Sequence, residues 1–177
     1  MIDKYPIKLL IGTDYPILEK IRCAERLFNV YGQELLSDKA IMFLLETYRQ
    51  TIQQSWIQMK SIGVIAECTD CAVNDGGSCC GKGVEDRFDV SLLLINLLMG
   101  CRFPSEPWDE TGCWFLGKRG CEISARHVIC VNYICKRLYS KIEKSGLRLL
   151  QKKIVLETDA GFALEESIKK WLRNKGL

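Results

Sequence analysis

The sequence predicts an all-α fold, a compact bundle of about five to six helices with two irregular loops that carry cysteines. Two observations predict it. Apolar side chains recur at helical spacing at both ends of the chain, and this pattern disappears over 66–88 and again over 101–123. A chain of 177 residues, 47% hydrophobic and 27% charged, fits one soluble domain, 1–177, with a core that needs no disulfides.

Residues 1–65 predict an N-terminal helical hairpin. In the first helix Ile17, Ile21, Ala24 and Phe28 share one face, and Gly32 is expected to end it. The second helix is expected to begin near Asp38 and to end at Gly63. Its apolar stripe predicts a core face and consists of Ile41, Leu45, Tyr48, Ile52, Trp56 and Met59.

Residues 66–135 predict a core segment in which two irregular loops flank one short helix. The loops cover 66–88 and 101–123 and are rich in glycine, cysteine and, in the second, proline. The helix between them, 89–100, is apolar on nearly every face, which predicts burial; Asp89 is expected to cap it and Gly100 to end it.

The C-terminal part predicts further helices. Ser124 is expected to cap a helix over 125–145, stopped by Gly146. Two amphipathic segments follow, 147–157 and 161–175; the first of them also fits a strand, and we predict a helix for both.

The segment 136–177 is basic, with 11 basic and 5 acidic side chains. This excess predicts either solvated helix faces or a weak contact surface for an acidic protein partner. The segment lacks a dense cluster of lysine and arginine interleaved with aromatics, which argues against nucleic acid as a partner.

The sequence predicts a cytoplasmic protein. The first sixteen residues show no basic region followed by an apolar run, so we predict no signal peptide. The longest apolar run, 90–100, is too short to span a bilayer, so no membrane association is expected. Cytoplasmic thiols stay reduced, which argues against disulfides.

The cysteines are concentrated in one part of the chain. Nine of the ten lie between 68 and 135, and Cys23, which lies apart from them, is predicted to be a small core residue. Eight form two groups of four, and these are the candidate metal ligands: Cys68, Cys71, Cys79 and Cys80 in the first group, and Cys113, Cys121, Cys130 and Cys135 in the second.

These groups predict a metal site. A C-x-x-C pair aims two sulfurs at one point, and a distant second pair closes the coordination shell. Thiolates are soft ligands, so zinc and iron–sulfur clusters are the candidate cofactors, and magnesium and calcium are excluded. Two alternatives to a metal site stay open at this point: the cysteines are reduced, buried and without function, or they form disulfides.

The spacing leaves the division of the ligands open. Adjacent Cys79 and Cys80 rarely reach one tetrahedral ion together. On a continuous helix Cys130 and Cys135 point about 140° apart, so both can reach one centre only if the helix begins after Cys130 or unwinds there. His127, the only histidine, lies close enough to Cys130 to complete a Cys3His shell, or it is a surface or supporting group.

Residues 68–135 resemble the YkgJ-like cysteine-cluster family, described as a zinc- or iron-chelating domain. The family pattern is C-x-x-C with a vicinal C-C pair close behind, followed by C-x-F-L and then C-x-I with R-x3-C. The matching residues are Cys68, Cys71, Cys79, Cys80, Cys113, Phe115, Leu116, Cys121, Ile123, Arg126 and Cys130. This chain departs from the pattern in a seven-residue gap before the C-C pair and in His127, where the family often has proline.

The resemblance implies metal chelation with a structural, redox or sensory role. The family is similar to a flagellin lysine N-methylase, so the resemblance also implies a metal-dependent or methyl-transferring enzyme as an alternative. No glycine-rich strand-turn-helix and no C-x3-C-x2-C motif supports that alternative, so an enzyme is not the first expectation. A third alternative is a binding module that uses the basic C-terminal face, with zinc as its clasp.

Overall fold

We describe the protein from a computed structural model that covers residues 9–75 and 79–177. Residues 1–8, which include the start of the segment inspected for a signal peptide, lie outside the described residues. Residues 76–78, in the gap before Cys79, also lie outside them. Most of the described residues are helical, which confirms the all-α class.

Two helices joined at one residue form the N-terminal part: α1 (Ile17–Ser37) and α2 (Lys39–Ser61). The Asp38 N–H donates to the last carbonyls of α1, while the Asp38 carboxylate accepts from the first N–H groups of α2. The predicted stop at Gly32 is wrong. Gly32 lies inside α1. A β-carbon there would be only 3.0 Å from the Phe28 ring, so the glycine makes room for this ring and does not end the helix.

The first part of the predicted irregular loop is a helix, α3 (Val64–Asn74). Gly63 precedes it in the left-handed region, with φ of 84°. The prediction of an irregular 66–88 segment is therefore wrong up to Asn74. The sequence signal was weak because only Val64 and Ala72 of this helix are buried.

The predicted buried helix is present as α4 (Val90–Leu98). The Asp89 carboxylate accepts from the Leu92 N–H, as a cap should, and Gly100 follows in the left-handed region. The second loop after α4 contains one small antiparallel hairpin that the sequence did not predict, β1 (Leu116–Gly117) and β2 (Gly120–Cys121).

The predicted helix over 125–145 is broken into α5 (Val128–Asn132) and α6 (Lys136–Lys141). The cap is also different from the prediction, because His127 Nδ1 accepts from the Ile129 N–H, while the Ser124 N–H donates to Asn96. Residues 133–135 are extended or non-helical, so the chain changes direction just before Cys135.

The last element is one helix, α7 (Lys144–Asn174), which contains both predicted amphipathic segments. Gly146 lies in its first turn and does not stop a helix. Gly161 lies in its middle, where a β-carbon would be 2.9 Å from Cζ of Tyr48. The helix choice over 147–157 is confirmed.

The helices pack in two principal pairs, α2 along α7 and α1 along α4. Their buried side chains form two apolar clusters. The larger one surrounds α4 and includes Phe88, Leu94 and Phe115, and the smaller one lies between α2, α3 and α7. Across the described ranges, no helix has both the length and the apolar character that crossing a membrane requires.

Candidate metal centre

All eight candidate cysteines line one cavity of about 350 Å³. The cavity lies where the two apolar clusters meet, since Phe88 and Phe115 of the larger cluster and Val64 and Leu150 of the smaller one share its wall. Cys23 is buried in the larger cluster and does not line the cavity, in agreement with its predicted role. The cavity is lined by Cys68, Cys71, Cys79, Cys80, Cys113, Cys121, Cys130 and Cys135.

The first two cysteines are presented by α3. Cys68 and Cys71 are three residues apart on this helix, so both lie on one face. Arg137 of α6 holds α3 in place through Glu67, with a Nε–Oε2 distance of 2.7 Å, and through a further ion pair with Asp70. Hydrogen bonds from Lys141 and then Arg137 hold the pKa of Glu67 below its usual value, and hydrogen bonds from Arg137 and then Asn74 do the same at Asp70.

The vicinal pair is joined to the second group by backbone pairing. The Cys113 N–H donates to the Cys80 carbonyl at 2.7 Å, and Gly81 and Gly112 form a neighbouring antiparallel bridge. Two cysteines that are 33 positions apart in the sequence are thus held side by side. The sequence offered no signal for this pairing, because it consists of single backbone contacts between loops.

The helix break brings Cys130 and Cys135 to the same cavity. Cys130 lies in α5, and Cys135 is the last non-helical residue directly before α6. A continuous helix would have turned one of them away. For both cysteines to reach one centre, the sequence required an interruption of the helix. The structure has such an interruption, and both cysteines line the cavity.

The spatial neighbours differ from the grouping along the chain. Cys80, Cys113, Cys121 and Cys130 all pack against the larger apolar cluster, whereas Cys135 packs against the smaller one. Burial raises the pKa of Cys68 to about 11, and the charges of three neighbouring thiols add to this effect, those of Cys79, Cys135 and Cys71. Cys135 therefore lies with the α3 cysteines, and Cys80 lies with the second group.

The cavity disfavours the charged form of several of its thiols, but not of Cys79. Burial is the main cause that raises the pKa of Cys113 to about 12 and of Cys130 to about 11, and neighbouring thiols add to both. Within the vicinal pair, a hydrogen bond from the Cys80 thiol lowers the pKa of Cys79 to about 6 and raises that of Cys80. A bound metal cation reverses the cost of burial, because a coordinating thiol is deprotonated.

His127 does not line the cavity. Its Nδ1 accepts from the Ile129 N–H, and its ring lies 6.0 Å from the Phe88 ring, centroid to centroid. Burial lowers its pKa, followed by the charge of Arg87. The structure therefore uses His127 as a helix cap, and places it apart from the eight cysteines.

The eight thiols are suitable ligands for a soft metal, but in this structure they are too far apart to form a coordination shell. No disulfide joins any of the ten cysteines, all of which belong to the described residues. Within residues 9–75 and 79–177, no three or more cysteine, histidine or acidic side chains are gathered closely enough to hold an ion. Binding would have to draw the thiols together across the cavity.

Comparisons with models of known protein families, with curated proteins and with solved structures find no match to this chain. The fold and the cavity define a class in physical terms only: a helical protein in which eight cysteines from four segments line one cavity. The resemblance of residues 68–135 to the YkgJ-like family stays a prediction.

Proposed function

We propose that the protein binds metal through its cysteine cluster, as an iron–sulfur cluster or as zinc, in a structural, redox or sensory role. The observation that carries the proposal is that all eight cysteines of the two sequence groups line one cavity, although they come from α3, two loops and the α5–α6 break. Cysteines placed only by their apolar character would be spread through the core, where Cys23 lies.

The number of thiols that line the cavity favours more than one metal ion. Four thiolates suffice for one zinc ion or for one iron–sulfur cluster, and eight thiols exceed either need. We propose iron–sulfur first, because of the apolar walls and the methylase resemblance, and zinc as the close alternative.

A metal in this cavity would also join the two apolar clusters. α3 and the α5–α6 break border the smaller cluster, while Cys80, Cys113 and Cys121 lie on the larger one. Ligands drawn from both sides would close the cavity, so binding energy would add to the free energy of unfolding.

The test is anaerobic purification followed by an absorption spectrum and by analysis of iron, sulfide and zinc per chain. We expect a coloured protein with iron and sulfide in the iron–sulfur case. A colourless protein with stoichiometric zinc would replace that version by the zinc version. A folded protein with neither metal, which also fails to take up either one after reduction, would overturn the proposed function.

Two serine variants provide a matched comparison. Cys113 and Cys23 are almost equally exposed, at 7% and 8%, but only Cys113 lines the cavity. We expect Cys113→Ser to lose metal and Cys23→Ser to retain it. Equal metal content in the two variants would contradict the proposal that the metal binds in the cavity.

A further inference from the structure

Three arginines line the cysteine cavity: Arg119 is exposed, Arg137 is paired with acidic side chains, and Arg126 is half-buried. Within the described ranges Arg126 takes part in no salt bridge. Its Nε is buried and has no hydrogen-bond acceptor among those residues. Buried arginines are normally paired, because an unpaired charge in an apolar site is expensive.

The contacts of the guanidinium are soft and uncharged. Its carbon lies 5.0 Å from the centroid of the Trp56 ring, and Nη2 lies 3.6 Å from Sδ of Met59. These contacts fix the orientation of Arg126, but neither supplies a negative charge. The position is therefore built to hold a cation at the cavity wall and leaves its charge uncompensated.

The buried carboxylate of Glu157 forms no salt bridge with Arg126. Glu157 is 1% exposed, accepts a hydrogen bond from Ser55, and has an Oε1 atom without a partner among the described residues. Both Glu157 and Arg126 belong to the part of the chain that the structure describes, and they do not approach within salt-bridge distance of each other. Burial raises the pKa of Glu157, while the Ser55 hydrogen bond and the charge of Arg126 act to lower it, so Glu157 interacts with Arg126 only from beyond salt-bridge distance.

We infer that Arg126 is a positioning residue that balances the negative charge of the metal-bound thiolates. The inference rests on the proposed function. A divalent ion bound by four thiolates is a dianion, and a cation fixed beside it in apolar surroundings would stabilise it. The charge of Arg126 reaches both halves of the cluster, since it acts on Cys68 as well as on Cys121 and Cys130.

This role predicts opposite effects of Arg126 in the metal-free and in the metal-bound protein. Without metal, the unpaired cation costs stability, so Arg126→Met should leave the metal-free protein as stable as the wild type or more stable. With metal, the same variant should hold the ion less tightly. Outer-shell substitutions weaken metal binding by roughly 10–100-fold, and we expect a loss in that range.

The experiment titrates the reduced, metal-free full-length chain with Zn²⁺ against a competing chromogenic chelator, and compares the wild type with Arg126→Met, Arg126→Lys and Arg102→Met. Arg102 is exposed and does not line the cavity, so its variant should bind like the wild type. Arg126→Lys, which keeps the charge, should recover most of the affinity. Thermal unfolding of each metal-free variant completes the comparison.

The outcomes separate the two proposals. If the wild-type chain retains no Zn²⁺, the inference falls together with the zinc form of the proposed function. If the wild type binds and Arg126→Met binds equally well, only the inference falls. A loss of stability in metal-free Arg126→Met that matches its loss of affinity would assign Arg126 a packing role on Trp56 and would also overturn the inference.

Discussion

Among the described residues, Asn96 is a fully buried polar side chain of α4 that is bonded to the backbone directly after the second cysteine loop. Its Oδ1 accepts from the Ser124 N–H at 3.1 Å and from the Ala125 N–H at 2.9 Å, and its Nδ2 donates to the Ala125 carbonyl at 2.8 Å. One side chain therefore satisfies three backbone groups just before Arg126. We predict that it holds the second loop against the core.

The magnitude follows from those three groups. In Asn96→Ala all three lose their partner, and the two on Ala125 have no access to water, since Ala125 is 0% exposed. Each buried backbone group left without a partner costs about 1–3 kcal/mol, so the free energy of unfolding should fall by about 2–6 kcal/mol. This is a large part of the ~5–15 kcal/mol that holds a typical domain together.

The assay is urea unfolding followed by circular dichroism, with every variant in the same metal state. Asn96→Leu is the informative companion, because it fills the space but restores no hydrogen bond. Exposed Asn132→Ala is the control and should change the free energy of unfolding by less than about 0.5 kcal/mol. The reasoning is refuted if Asn96→Leu is as stable as the wild type, because the loss in Asn96→Ala would then come from the cavity alone.

Three further predictions concern the helix interface and the cysteines. Burial raises the pKa of Glu157 above its ordinary value of 4.5, so the wild type loses stability as the pH rises above that value. The free energy of unfolding of Glu157→Gln, measured in urea and compared with that of the wild type, should therefore increase between acid and neutral pH. A difference that stays constant with pH would contradict this. Gly161→Ala places a β-carbon against the buried Tyr48 ring and should cost about 1–3 kcal/mol in the same assay, and an unchanged midpoint would show that the ring can move away. In the metal-loaded protein, Cys68→Ser should lower the melting temperature far more than Lys169→Ala, and equal melting with full metal content in both variants would count against the cluster.

The sequence was sufficient where one local rule decided the structure. α4 was predicted in place because its residues are apolar on every face and Asp89 caps it, and Asp38 marks the junction of α1 and α2 for the same kind of reason. Position-specific packing was not visible. Glycine is typical of helix ends, but Gly32 and Gly161 each lie inside a helix. An aromatic ring packs where a β-carbon would be, which explains why a glycine is found at each position.

The sequence predicted which cysteines line the cavity but not how they are arranged. The eight cysteines were identified by their clustering, and all of them line the cavity. Their neighbours could not be derived, because the pairing of Cys80 with Cys113 rests on one backbone hydrogen bond between distant loops. α3 was missed for a related reason, since Arg137, more than sixty residues away, helps to hold it.

X-ray absorption at the edge of whichever metal the purified protein carries would decide whether the cysteine cavity is the metal site. We predict a first shell made of sulfur alone, at about 2.3 Å for zinc, and for iron a sulfur shell followed by a second shell of iron. The same spectrum of Cys113→Ser should show the sulfur shell lost or depleted. A first shell of nitrogen and oxygen in the wild type would place the metal outside the cysteine cavity, against the proposed function.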